Sequence, residues 1–362
     1  VVTPTVAGWG VALPGAITQD ALWEGFFHHH FLPREVARRI FAASGVRRRH
    51  AVANPLAEDL SRWSTSRRMR RFAEEAHPLG HRAVTLAMTD AGTGADEIGL
   101  LAVASCTGYG TPGLDIRLAA SLDLPPDTQR VLIGHMGCYA ALPALRSVAD
   151  YVATHRRPAV LLCVELTSLH LQGPTTDRQQ MVSHALFGDA ATALVVRPAT
   201  PARPTTGREL ELLDVAAHTD VTASDHMTWE ITDLGFRMGL SPRVPDLLAK
   251  HLRPTVERLL AGHGLDVPDV RAWAVHPGGP RILSLVEDEL SLPPHALSAS
   301  RSVLAERGNC SSTTVLLVLD EVLRTRRLGQ GDTAVALAFG PGLSLYAALL
   351  RSPGPHQDRA RQ

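Results

Sequence analysis

Short runs of consecutive apolar residues alternate along the chain with longer segments whose apolar positions recur at helical spacing. A strand covered on both faces needs such an uninterrupted run, because every side chain meets an apolar neighbour. Gly99-Leu-Leu-Ala-Val-Ala-Ser105, the run ending Val131-Leu-Ile-Gly134, Ala159-Val-Leu-Leu-Cys-Val164 and Ala190-Ala-Thr-Ala-Leu-Val-Val196 are therefore predicted as buried strands. Between them the spacing predicts a helix over Pro78–Ala91, stopped by Gly92 and Gly94, and another from Cys138 through Ala153. Near the amino end it predicts one helix from about Thr18 to Ser44.

A second series follows Ala199–Gly207, a stretch rich in proline and threonine that reads as a link. Leu210–Ala217 and Ala272–Val275 are predicted strands, Val244–Gly262 and Ser312–Arg327 helices, and Asp332–Phe339 with Ser344–Leu350 a closing strand pair. Two such series in succession predict a layered α/β architecture in two halves, residues 1–200 and 208–351. The polar, proline-containing end, residues 352–362, is expected to be a disordered tail.

Length and composition agree with this picture. At 362 residues the chain exceeds what one small core requires. Thirty-six basic and thirty-six acidic residues cancel, so no net field favours nucleic acid or an anionic membrane. No apolar run reaches the roughly 18–20 residues that span a bilayer, and the first residues lack the basic-then-apolar order of a secretory signal. Cys106, Cys138, Cys163 and Cys310 show no CxxC spacing and read as reduced thiols of a cytoplasmic protein. His28-His-His30 offers adjacent side chains that diverge on a helix and has no evident acidic or cysteine partner, so no metal site is expected.

Three segments carry candidate chemistry. In Gly137-Cys138-Tyr-Ala-Ala a cysteine stands between a strand end and a helix start, where the positive helix terminus favours a thiolate. In Trp273-Ala-Val-His276-Pro-Gly-Gly-Pro a histidine follows a buried strand. In Gly308-Asn309-Cys-Ser-Ser an asparagine sits in a turn that opens an apolar helix. Such turns can converge at one end of a layered sheet, supplying a nucleophile, a base and an amide donor for an oxyanion. Singly, each has a plainer reading: a packing thiol, a hydrogen-bonded structural histidine, a helix cap.

Over nearly its whole length the sequence resembles the type III polyketide synthases, the chalcone and stilbene synthase-like family. His276-Pro-Gly-Gly-Pro280 matches a family segment at all five positions. Gly308-Asn-Cys-Ser-Ser312 is close to the family's Gly-Asn-Met-Ser-Ser. Phe339-Gly-Pro-Gly-Leu343 matches the core of Gly-Phe-Gly-Pro-Gly-Leu, with Ala338 replacing the first glycine. Ala185-Leu-Phe-Gly-Asp189 matches a fourth segment, and the order of all four is retained.

The resemblance implies a five-layered αβαβα thiolase fold built from two similar halves and working as a homodimer. It implies an acyltransferase with Cys138 as nucleophile and His276 and Asn309 completing the catalytic set. An acyl starter, on CoA or on a carrier protein, would load onto Cys138 and be extended by decarboxylative condensation with malonyl-CoA. The chain would then cyclise to a pyrone, a resorcinol or a related phenol. No metal or other cofactor is implied. Phe187 corresponds to a gatekeeper between substrate tunnel and elongation cavity, and Phe236 to a second. Cys106, Thr111, Thr167, His170 and Ser311 would line the cavity, and Glu165 beside them would help hold a water or the cyclisation site.

Arg39 aligns with a basic residue the family uses for the CoA phosphates, whereas the flanking basic positions fall on Val36 and Ala43. Arg34, Arg38 or Arg47-Arg48-Arg49 would have to compensate, unless they form a solvated basic face. Two rival activities share the cysteine, histidine and asparagine set. One is a ketosynthase III-type enzyme making a single condensation, against which Gly279 argues because that family has asparagine there. The other is a non-elongating acyl-transfer paralogue.

Overall fold

The computed structural model describes residues 2–199, 207–326 and 328–353. The expected link and tail lie mostly outside the described residues. Thirteen strands are present among them: β1 (Pro4–Ala12), β2 (Ala16–Thr18), β3 (Arg48–His50), β4 (Leu100–Ser105), β5 (Gln129–Gly134), β6 (Ala159–Leu166), β7 (Asp189–Pro198), β8 (Leu210–Thr219), β9 (Met227–Thr232), β10 (Gly235–Leu240), β11 (Val270–Val275), β12 (Thr333–Gly340) and β13 (Ser344–Arg351). Nine join in the order β11-β12-β13-β8-β1-β7-β6-β4-β5.

This order is a duplication. Outward from the seam where Thr5 and Val6 of β1 meet Glu211 and Leu210 of β8, both halves read alike. β1 pairs antiparallel with β7, β7 antiparallel with β6, and β6 parallel with β4. β8 likewise pairs antiparallel with β13, β13 antiparallel with β12, and β12 parallel with β11. Only β5, parallel to β4 at the edge, lacks a counterpart.

The period-two alternation of the strands sorts their side chains into layers. Leu100, Ala102 and Ala104 of β4, Leu161 of β6, and Ala334, Ala336 and Ala338 of β12 share one central core with the helices Ala141–His155 and Thr313–Thr325. The intervening Leu101, Val103, Val160 and Leu162 pack with helix Thr65–Ala91. Val335, Leu337 and Phe339 pack with helices Val244–Ala261 and Pro280–Leu290. The result is α-β-α-β-α, the five-layered order expected.

The sequence reading needs correcting in two places. The helix predicted over Thr18–Ser44 is broken into Gln19–Leu22, a π-helical turn Trp23–Phe27, His28–His30 and Arg34–Ala43. Pro33 has no N–H to donate and pushes Leu32 out of the helical region, while Trp23, Phe27, Phe31 and Phe41 pack as a ring cluster. The helix predicted from Pro78 starts at Thr65, where the Ser64 hydroxyl accepts from the Arg67 N–H at 3.4 Å.

Candidate active site

Cys138 lies in a tight turn, Gly137–Tyr139, between β5 and helix Ala141–His155. Gly137 has φ +73°, and a Cβ there would lie 2.5 Å from Pro341 Cδ. A Cβ on Gly340 would lie 2.6 Å from the Tyr139 ring and 3.2 Å from the Cys138 backbone nitrogen. The Phe339-Gly-Pro-Gly-Leu343 segment is thus a close-fitting platform under the cysteine turn, and glycine permits that approach.

His276 directly follows β11, its N–H donating to Leu337 O at 2.8 Å. The ring is buried, and Nδ1 has no hydrogen-bond partner. Asn309 is tied to the Phe187 segment on both sides: Asn309 N donates to Leu186 O at 2.8 Å, and Gly188 N donates to Asn309 O at 2.9 Å. Its side-chain Oδ1 accepts from Ser311 N at 2.9 Å. With the carbonyl end so occupied, the NH₂ end is the one that hydrogen-bonds Cys138 Sγ, as does Ser311 Oγ.

Cys138, His276, Asn309 and Phe187 line one cavity of about 630 Å³, whose remaining wall is largely apolar and includes Met227, Met238 and Phe339. Burial pushes the Cys138 thiol up to about 12, against the opposing pull of the Ser311 and Asn309 hydrogen bonds. Burial alone draws His276 down to about 3. Each charged form is costly singly, so a thiolate in this cavity needs an imidazolium beside it.

Behind the cysteine stands a buried polar network. Glu165 accepts from Ser312 Oγ at 2.6 Å, Thr107 Oγ1 at 2.7 Å, Cys106 N at 3.0 Å and Cys106 Sγ at 3.4 Å. Cys106 Sγ also lies 3.3 Å from Ser311 Oγ. Glu165 therefore reaches Cys138 through a thiol and a hydroxyl. Burial holds its carboxyl above the usual range.

Phe187 lines a second, smaller cavity of about 70 Å³ as well, together with Thr167, His170, Trp229 and Phe236. Ser183 and Met238 line both cavities too. The polar atoms of two wall residues are already engaged. Thr167 Oγ1 donates to Gly188 O at 2.8 Å. His170 Nδ1 accepts from Phe236 N at 2.9 Å, so its Nε2–H donates to Thr107 O at 2.7 Å. His170 therefore presents a neutral ring face, stacked on Phe236 with centroids 4.4 Å apart.

Other expected positions fall elsewhere. Thr111 is exposed on a loop outside both cavities. Cys106 and Ser311 are buried behind Cys138. Arg39 is exposed on helix Arg34–Ala43, whose Ile40 and Ala43 line the larger cavity. Arg47 and Arg48 pair with Glu306, and Arg49 is buried against the carbonyls of His184, Ala185 and Phe187, so this run is structural. Sequence reasoning missed Arg178 and Arg281, exposed residues that line the larger cavity. It also missed Trp229. The one available signal was the position of Arg281 directly after His-Pro-Gly-Gly-Pro. Among the described residues no group of three or more His, Cys, Asp or Glu is placed to hold a metal, and no helix is long and apolar enough to cross a membrane.

Comparison with known proteins agrees with this geometry. Residues 5–201 match the N-terminal domain of chalcone and stilbene synthases, and residues 213–353 match the C-terminal domain. The 1,3,6,8-tetrahydroxynaphthalene synthase of Streptomyces peucetius subsp. caesius is 35% identical over 88% of this chain and 84% of its own. The α-pyrone synthesis polyketide synthase-like Pks18 of Mycobacterium tuberculosis is 30% identical over 87% of this chain and 82% of its own. Among solved structures, PKS-I of the brown alga Ectocarpus siliculosus superposes with a TM-score of 0.89 at 30% identity, covering 97% of this chain and 99% of that one. The bacterial tetrahydroxynaphthalene synthase of Streptomyces coelicolor A3(2) superposes with a TM-score of 0.87 at 28% identity, with the same coverage.

Proposed function

Because the chain belongs to the chalcone and stilbene synthase family, and is thus a type III polyketide synthase and an acyltransferase, we propose that Cys138, His276 and Asn309 carry out its acyl loading and malonyl extension. The Cys138 thiolate, paired with His276, attacks the carbonyl of an acyl thioester carried by CoA or a carrier protein, and the carrier thiol leaves. Malonyl-CoA then loses CO₂, and the electron pair of the broken bond becomes an enolate. Asn309 and His276 donate hydrogen bonds to its oxygen. The enolate carbon attacks the acyl group on Cys138 and expels the thiolate, and the lengthened thioester reloads it. Release gives a pyrone, a resorcinol or a related phenol. Phe187 gates the passage between the cavities and limits water around the carbanion. The substrates are the acyl thioester and malonyl-CoA, and no resident cofactor takes part.

The observation that carries this reading is the carboxamide of Asn309, whose oxygen is held by Ser311 so that its nitrogen faces Cys138 in a cavity shared with His276. We further propose two functional halves, residues 1–200 and 208–351, in a cytoplasmic homodimer. β5 supports the dimer: it is an edge strand bonded only to β4, with Val131 44% and Leu132 49% exposed. Thr111, on the exposed stretch Tyr109–Pro112, would then complete the partner's cavity.

The deciding experiment is incubation with malonyl-CoA and a panel of acyl-CoA starters, read by mass spectrometry of small products and of the intact protein. The native enzyme should carry an acyl group on Cys138 and release products containing more than one malonyl-derived unit. Cys138→Ala should do neither. Products with a single unit would make the enzyme a one-step ketosynthase, and normal product formation by Cys138→Ala would remove the cysteine from the reaction.

A further inference from the structure

The chain as a whole is neutral, with 36 basic and 36 acidic residues, yet the rim of the larger cavity is not. Arg178 and Arg281 line it, Arg39 precedes the lining residue Ile40, and Arg243 stands between the lining residues Pro242 and Val244. All are exposed, and none has a hydrogen-bond or ion-pair partner for its guanidinium among the described residues. Of the acids on the same segments, Asp177 is committed to Arg237 at 2.5 Å, which leaves only Glu35 and Asp246.

Arg34 and Arg38 extend this charge away from the cavity. Helix Arg34–Ala43 turns Ile40 and Ala43 to the cavity and packs Ala37 and Phe41 into a cluster with Phe27, Met181 and Ala185. At helical spacing Arg38 lies roughly 160° around the axis from Ile40, and Arg34 stands one turn before it on the same outer side. Along the axis Arg34 is about 13 Å from Ala43. Both arginines are exposed and without a partner among the described residues. Like charges one turn apart repel, so helix stability does not explain the pair. Leu32, 58% exposed just before the helix, sets an apolar side chain beside them.

This outer face is turned away from a phosphate held at the mouth by Arg178 and Arg281. What it can meet is the surface of a second molecule that stands over the mouth while its acyl arm reaches in. Charge complementarity requires that surface to be acidic. We infer that the outer face of helix Arg34–Ala43, with Leu32, docks an acidic carrier protein that presents the starter as a thioester on a phosphopantetheine arm. The arm enters past Arg178 and Arg281, and malonyl-CoA remains the extender. The transfer is a thioester exchange. Cys138 sulfur bonds to the acyl carbon, the bond to the arm's sulfur breaks, and the arm leaves as a thiol with the proton that Cys138 gave up. The inference rests on the reading of Cys138, His276 and Asn309 as a loading and extension site.

The test compares two donors of one starter, a bacterial fatty-acid carrier protein charged with a hexanoyl group and hexanoyl-CoA, each with malonyl-CoA. Products are followed by liquid chromatography and the acyl group on Cys138 by intact mass. In the double variant Arg34→Glu/Arg38→Glu, kcat/KM for the carrier-borne starter should fall at least about tenfold, because each new carboxylate faces an acidic partner. The value for hexanoyl-CoA should stay within about twofold. In the native enzyme the carrier-borne reaction should also slow more steeply as salt is added. The neutral pair Arg34→Gln/Arg38→Gln, with a smaller loss of the same selectivity, decides the matter if the reversed pair does not fold. Unchanged kinetics with the carrier-borne starter, an equal loss with both donors, or no transfer from the carrier to an enzyme active with hexanoyl-CoA would overturn the inference and leave the extension reading standing. Absence of any malonyl-derived product from either donor would instead overturn the extension reading, and this inference with it.

Discussion

At the scale of single residues, Cys138 and His276 share one cavity that disfavours the charged form of each. Burial raises the thiol and lowers the imidazole. A thiol with a raised pKa stays protonated until the pH climbs through that value, so an isolated Cys138 would be inert near neutrality. On the proposed pairing, a protonated His276 in the same cavity favours the thiolate form and the midpoint falls. Alkylation by iodoacetamide, followed against pH, measures that midpoint. Replacing His276 by Gln should move it upward by at least about one unit, which costs tenfold in alkylation rate near pH 8. Superimposable pH profiles for the native and His276→Gln proteins would show that the imidazole has no part in forming the thiolate. The turns holding these residues were readable in the sequence because each falls where an apolar run ends beside glycine. What could not be read is the bridge from Glu165 through Cys106 and Ser311 to the sulfur, since these groups are neighbours only in space.

At the scale of elements, the same limit explains which segments were legible. Strands β4, β6, β7 and β12 are buried on both faces and appear as continuous apolar runs. The β9–β10 hairpin is half-exposed and mixed in character, with Ile231 63% exposed opposite Phe236, and it gave no strand signal. Yet that hairpin delivers Trp229, Phe236 and Met238 to the smaller cavity. The Phe339–Leu343 segment is the converse case: recognisable as a motif, with a purpose that becomes physical only in the fold. It supports the cysteine turn at van der Waals distance, with Tyr139 stacked on Tyr346 at 5.1 Å beside it. Gly340→Ala would therefore displace the Tyr139 ring and the Cys138 backbone together. A shift of a few tenths of an ångström at a nucleophile costs on the order of tenfold in rate, less than the roughly 100-fold of a 1 Å misplacement. Product formation should fall by that factor while the melting temperature changes by only a few degrees, the scale of about 1 kcal/mol in a large chain. Full activity in this variant would mean that the turn tolerates the displacement.

At the scale of the whole molecule, duplication leaves the two halves with different tasks. The first half supplies the cysteine and the second the histidine and asparagine, and the cavity lies where the halves meet. Its larger chamber is lined by residues from both, among them Arg178 from the first and Arg281 from the second. Neither arginine has an ion-pair partner among the described residues, whereas Arg47 and Arg48 are committed to Glu306 and the neighbouring Asp177 to Arg237. A thioester whose acyl end reaches Cys138 must leave its phosphates outside, where these two cations stand. Exposed charge pairs contribute about 0.2–1 kcal/mol each, so Arg178→Ala and Arg281→Ala should each raise KM for a CoA thioester by up to about fivefold. The effect should shrink as salt screens the contact. kcat should hold, because neither side chain reaches the sulfur. The N-acetylcysteamine thioester of the same acyl group, which carries no phosphate, should keep its native KM in both variants. An equal rise for the two thioesters would show that the arginines shape the cavity mouth and do not bind the carrier's charge.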